Sequence, residues 1–145
     1  MEEQNYKNHS RISTLYHYVA YSIVTAIIVG AIIKLYRSYT TGLHGLLVPV
    51  LLLLIGIALL LVLWFSRSFA LKAQDRAIRA EESLRYFAIT GNLPDSKLTL
   101  GQFIALRFAP NNEFVDLAHR AVSENMTPRD IKKAIKQWKA DHNRV

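Results

Sequence analysis

Five histidines are the first residues to ask for chemistry, and their spacing discourages it. His9, His17, His44, His119 and His142 are scattered, and none has a second His, Cys or carboxylate at a convincing metal-ligand spacing. The nearest approach is Glu113, Asp116 and His119, which lie along one face of a helix over about two turns. Asp116 also stands four residues before Arg120, so a solvated, ion-paired helix face is the simpler reading. Glu81 and Glu82 are adjacent and diverge by ~100° on a helix, which rules out an acid–base pair. The chain contains no P-loop, no G-x-S-x-G and no cysteine. We therefore expect neither enzymatic activity nor a cofactor or metal.

The basic residues offer a different chemistry, the binding of anions. Lys132, Lys133, Lys136 and Lys139 crowd the end of the chain, where residues 129–145 carry six basic and two acidic groups. A second group, Arg67, Lys72, Arg76 and Arg79, follows an apolar run. Both are candidates for contact with an anionic lipid surface or with a partner, each Lys adding up to ~1 kcal/mol near such a leaflet. The alternative, which we prefer for the last group, is a helix whose apolar side packs inward while its lysines stay in water. Nucleic acid is a poor fit. The residues after Phe65 hold fourteen basic against nine acidic groups, a net charge of only +5, and the cations are not interleaved with exposed aromatics.

These groups must be positioned by a framework that two apolar runs dominate. Leu15 to Ile33 and Leu46 to Phe65 contain no charged side chain. At ~1.5 Å per residue, roughly 20 residues cover ~30 Å, the thickness of a hydrocarbon core. Backbone amides in lipid must pair internally, so the runs read as helices, with transmembrane helices expected at 15–35 and 46–65. Pro49 falls in the first turn of the second run, where a missing N–H costs little. Tyr16, His17, Tyr18 and Tyr21 at the start of the first run, Tyr36 and Tyr39 after it, and Trp64 and Phe65 after the second suit headgroup interfaces. A buried hairpin in a soluble core fails as an alternative, because the remaining residues are too polar to wrap both helices.

Residues 36–45 form a short external loop in this reading, with Gly42 and Gly45 supplying the turn. Lys7 and Arg11 precede the first run and four cations follow the second, whereas the loop side has only Lys34 and Arg37. By the positive-inside rule both termini, including the N-terminal segment 1–14, lie in the cytoplasm. Glu2 and Glu3, and the lack of a small-x-small cleavage site, argue against a cleaved signal peptide. The absence of cysteine agrees with a reducing compartment. Ser22, Ala26 and Gly30 recur every four residues and would let another helix approach closely. The expected occupant is the second run near Gly56, with an identical or foreign subunit as the alternative. Lys34, one turn on, sits at the interface, where snorkelling accounts for it.

Beyond Phe65, no Gly or Pro interrupts the chain until Gly91, so the second helix is expected to continue as a stalk of ~37 Å. Phe69, Ala73, Ala77, Ala80, Leu84 and Phe87 give it one apolar stripe. Asp75 with Arg79 and Glu81 with Arg85 are possible i,i+4 pairs. The stripe could pack on later helices, on a sister chain as a short coiled coil, or on another protein; two to three heptads are few for an autonomous coiled coil. Gly91 and Pro94 end the helix. Three short helices follow. Thr99 with Gln102 forms a capping box, Pro110-Asn111-Asn112 breaks and recaps, and Thr127 with Pro128 opens RDIKKAIKQWKAD. Ile131, Ala134, Ile135 and Trp138 give that last helix an apolar face. Leu100, Phe103, Ile104, Phe108, Phe114, Val115, Ala118, Ala121 and Val122 complete a small core. Some 50 residues are marginal alone, so docking on residues 67–90 is expected. The fold class is all-α: a transmembrane hairpin and stalk, with a cytoplasmic helical domain over 66–145.

The pieces QNYKNHSR, FALKAQDRAIRAEESLRYF, LTLGQFIALRFA and IKKAIKQWKADHNRV resemble an uncharacterised family of small bacterial two-span membrane proteins that carry a conserved domain of unknown function. The resemblance covers nearly the whole chain. It implies a bacterial inner-membrane protein and no assigned activity, so it assigns no residue a role. The reading that results is a membrane-anchored interaction module or accessory subunit, in contact with lipid and with a protein partner or further copies of itself. A self-associating transport or channel component is the alternative. It is disfavoured because the second run offers no polar residue to line a pore.

Overall fold

The computed structural model describes residues 15–42 and 45–141. His9, His44 and His142, the cations Lys7 and Arg11 and the segment 1–14 lie outside the described residues. Among those described there are helices and no strands. A π-helical turn, Leu15–Ala20, leads into α1, Tyr21–Thr40. Then come α2, Leu47–Thr90, α3, Leu100–Leu106, α4, Asn111–Ser123, and α5, Pro128–Ala134. The first helix thus runs five residues past the expected span. The described residues divide into two compact units, one ending at Ala70 and the other beginning at Leu71. The 44-residue α2 belongs to both as one unbroken helix.

In the first unit, α1 and the apolar part of α2 form the hairpin. Thr41 N–H closes on the Arg37 carbonyl at 3.1 Å, and Gly42 and Gly45 then take φ of 93° and 72°, a left-handed backbone that L side chains resist. Tyr16 and Tyr21, five residues apart, meet edge to face at 5.8 Å, and the Tyr16 hydroxyl donates to the Leu63 carbonyl. Both helices are long and apolar enough to cross a bilayer. In the most apolar window of each only 11% of residues are buried, whereas a core helix of a water-soluble protein would be mostly buried.

The second unit is a helical cap on the last third of α2. Its signals are local and act as expected. Gly91, at φ 73°, donates its N–H to the Phe87 carbonyl at 2.8 Å, so α2 ends in a left-handed residue that satisfies one of its free carbonyls. Thr99 and Gln102 form the reciprocal capping box, with Thr99 N–H donating to Gln102 Oε1 at 2.8 Å and Gln102 N–H to Thr99 Oγ1 at 3.3 Å. Thr127 opens α5 by accepting Asp130 N–H at 3.2 Å. The start of α4 differs from expectation. Pro110 takes the cap position with no side-chain bond, because Asn111 Oδ1 is engaged by Arg85.

The core also differs in detail. Phe103, Phe108, Phe114, Ala118, Ala121, Ile131 and Ile135 are buried as expected, joined by Leu98, Ala105, Leu106, Ala109, Leu117 and Tyr86. Leu100 stays 39% exposed, and Ile104, Val115 and Val122 are half-buried. The last helix is shorter than its apolar periodicity predicts. It stops at Ala134, and Ile135 is already extended at φ −66°, ψ 120°. The Glu113 carboxylate accepts Lys136 N–H at 2.9 Å and Gln137 N–H at 3.2 Å, and the Phe108 carbonyl accepts Lys139 N–H at 2.8 Å. Tertiary acceptors thereby replace the intrahelical ones. Trp138 then stacks, tilted, 4.9 Å from the Phe108 ring.

Candidate functional site

The surfaces able to meet another molecule follow from which face of each helix is already occupied. In the hairpin, α1 turns Val24 and Ala31 inward, both buried. A Cβ placed on Gly56 would lie 2.6 Å from Ile28 Cγ1 and 3.6 Å from Ile27 Cγ2. Ile28 therefore fills the hole that Gly56 leaves. Ser22, Ala26 and Gly30 are exposed instead, and nothing lies within 4 Å of a Cβ on Gly30. The expectation that these three meet Gly56 is corrected: Gly56 is packed, but by the branched face of α1. Branched side chains around a glycine make more dispersion contacts than a row of small residues facing it.

The cations after the second apolar run are not equivalent. Arg67 is half-buried, its guanidinium 5.7 Å from the Tyr16 ring centroid. Arg79 sits 5.7 Å from the ring centroid of Phe103 on the cap. Lys72 and Arg76 are exposed. The terminal cluster does not form one helical face, since Lys136 and Lys139 lie beyond the end of α5. Lys132 is half-buried, 5.7 Å from the Phe108 ring centroid, and Lys133, Lys136 and Lys139 are exposed.

Among the described residues, Arg85 makes the largest set of polar contacts between α2 and the cap. Arg85 donates from Nε to Asn111 Oδ1 at 2.8 Å, from Nη2 to the Ala109 carbonyl at 2.8 Å and from Nη1 to Glu82 Oε2 at 2.9 Å. Its guanidinium also stacks 4.2 Å from the Phe114 ring centroid. Glu82, 7% exposed, is its acidic partner, not Glu81. Tyr86 adds an edge-on contact to Phe114 and shares a hydrogen bond of 3.1 Å with His119 Nε2. His119 thus has a phenol for a neighbour. Arg120 pairs with Glu124 at 3.0 Å in place of the expected Asp116. That bond holds the Glu124 carboxyl below its usual range.

The cap docks within residues 67–90 as expected, but of the covers left open for the apolar stripe it supplies none. The buried positions are Ile78, Glu82 and Tyr86, while Phe69, Ala73, Ala77, Ala80, Leu84 and Phe87 are all exposed. Burying Ile78 and Tyr86 removes apolar area from water, and Arg85 satisfies the Glu82 charge that comes with them. The i, i+4, i+8 recurrence of Ile78, Glu82 and Tyr86 was available as a signal, hidden by the charge in its middle. Gln102 was likewise read only as a cap. Its Nε2 also donates to the Ala121 and Met126 carbonyls, at 3.1 Å and 2.9 Å, tying α3 to the end of α4.

Beside the docked face lies a cleft of about 430 Å³, lined by Gln74, Glu82, Arg107, Lys139 and Asp141 among others. Its charges are largely matched already, Arg107 with Asp141 at 3.3 Å and Glu82 with Arg85. Among the described residues no three His, Cys, Asp or Glu side chains gather where a metal ion could bind.

The described surfaces thus comprise two helices long and apolar enough to cross a membrane and an exposed apolar stripe on α2. No curated protein and no solved structure matches the chain. Over its full length, residues 1–145, it belongs to DUF6526, a family of unknown function.

Proposed function

We propose that the protein is a non-enzymatic, membrane-anchored interaction module, an accessory component of a bacterial inner-membrane complex. The observation that carries this reading is the contrast along α2. Its first part is apolar and exposed together with α1, and its last part carries a folded polar cap. An exposed apolar surface of that length is stable when lipid covers it. The cap then lies in water on the side that the cations after Phe65 favour, with both termini cytoplasmic. A transport component is less well supported, because residues 47–65 of α2 present no polar group to a pore.

Since the chain has no native cysteine, single cysteines report topology directly. Thr40→Cys should react with an impermeant maleimide in intact cells, and Val145→Cys only in inverted vesicles. Labelling of both from the same side would refute the orientation, and release by alkaline carbonate would refute insertion.

A further inference from the structure

The cap buries Ile78, Glu82 and Tyr86 of α2, and its cleft reaches round to Ala77 and Glu81, which stay exposed. About 180° round the helix from the centre of Ile78, Glu82 and Tyr86 lie Ala73, Ala77, Ala80, Leu84 and Phe87, all exposed. Leu84 keeps 69% and Phe87 48% of its surface open. The intervals between these five alternate four and three, which is the a/d pattern of a coiled-coil seam. In that register Arg76 falls at g and Glu81 at the following e. In a parallel, in-register pair a g residue faces the e residue five positions on in the other helix. Arg76 of each copy would therefore meet Glu81 of the other, twice by symmetry. Gln74, Ser83 and Ala88 take the neighbouring e and g positions and are uncharged, so no like charges oppose the pairing. Both Arg76 and Glu81 are exposed, and neither joins an ion pair among the described residues.

We propose that α2 pairs with α2 of a second copy along Ala73, Ala77, Ala80, Leu84 and Phe87, as a parallel coiled coil whose register is set by reciprocal Arg76–Glu81 contacts. The proposal rests on the membrane reading above, because insertion in one direction is what makes two α2 helices parallel. The alanines bring the helix axes close, and Leu84 and Phe87 supply most of the apolar area. So short a seam would be weak between freely diffusing chains, and confinement to one membrane raises the effective concentration of the second copy. The charge pattern selects the occupant: the face is complementary to itself, so it needs no foreign helix.

Single cysteines in the full chain, oxidised mildly in native membranes, provide the test. Ala80→Cys and Leu84→Cys should give disulfide-linked dimers, and Lys72→Cys, off the seam, should not. Arg76→Glu and Glu81→Arg should each lower association about tenfold, by replacing two attractions with two repulsions. The double exchange R76E/E81R should restore it. Equal cross-linking at residues 72 and 80, or failure of the exchange to restore pairing, overturns the proposal. So does a seam covered by residues 1–14 of the same chain or by another protein, seen as membrane-bound chains that never cross-link to each other. That result leaves insertion intact, whereas a chain washed out by carbonate refutes insertion itself.

Discussion

Replacing Arg85 with methionine should undock the cap from α2 without touching the apolar hairpin. The guanidinium makes three hydrogen bonds, to Asn111, Ala109 and Glu82, and stacks on Phe114. Its loss strands the Glu82 carboxylate, whose side chain is 9% exposed, with no partner for its charge. Breaking a buried pair from one side costs about 3–5 kcal/mol. A cap this small has stability near the low end of the ~5–15 kcal/mol range for domains, so the loss is a large share of it. Hydrogen exchange on the protein in detergent reads the effect directly. At about 3 kcal/mol, protection of core amides in α3 and α4 falls by roughly a hundredfold, while amides of α1 keep theirs. The double variant E82Q/R85M removes both charges and should recover about 1–2 kcal/mol relative to R85M alone. If R85M changes core protection by less than about threefold, or if E82Q/R85M is the worse of the two, then Arg85 does not fasten the cap.

Three further outcomes follow from the same contacts. Gly56→Ala places a methyl 2.6 Å from Ile28 Cγ1 and should weaken the hairpin by about 1–3 kcal/mol. Gly30→Ala meets nothing within 4 Å and should be neutral or stabilising, so equal losses in an unfolding titration of the two variants would contradict the packing. Glu113→Gln keeps one acceptor but loses the charge that holds the Lys136 and Gln137 amides. Faster exchange of those two amides, at a cost of about 1–2 kcal/mol, is the expected result. The Thr127 hydroxyl donates to Asp130 Oδ2 at 2.6 Å, and this bond is the main reason that the Asp130 carboxyl titrates below its ordinary value of 3.8. Its contribution to stability is complete above that value and is lost as pH falls through the folded-state pKa. Thr127→Ala should raise the Asp130 pKa toward the ordinary value in an NMR titration, and an unchanged midpoint would contradict the assignment.

Punctuation of the chain was readable because its causes are local. Gly91 adopts a backbone that its missing Cβ permits. Thr99 with Gln102, and Thr127 with Asp130, satisfy amides three residues away, and nothing distant is needed for that. The position of the two apolar stretches follows in the same way from side chains that carry no charge over roughly 20 residues. Faces were harder. On α2 two stripes compete, one of alanines with Leu84 and Phe87, the other of Ile78, Glu82 and Tyr86. Only the positions of Asn111, Ala109 and Phe114 make the second worth burying, since they give Arg85 the partners that let Glu82 leave water.

Tertiary partners also decided where α5 ends. The periodicity of Ile131, Ala134, Ile135 and Trp138 continues past Ala134, but the backbone does not. Glu113 and the Phe108 carbonyl, brought near by the folding of α3 and α4, take the amides that another turn of helix would have used. In the hairpin, Ile28 against Gly56 outweighs the row of small residues at Ser22, Ala26 and Gly30, because packing between helices depends on the shape of both surfaces. The order of amino acids was enough to set which segments are helical, where most of them begin, and which stretches suit lipid, since those depend on neighbours a turn away and on solvent. Which side of each helix is covered, and which acid meets which base, emerged only with the three-dimensional fold, because burial of a polar group is favourable only when a distant residue arrives to satisfy it.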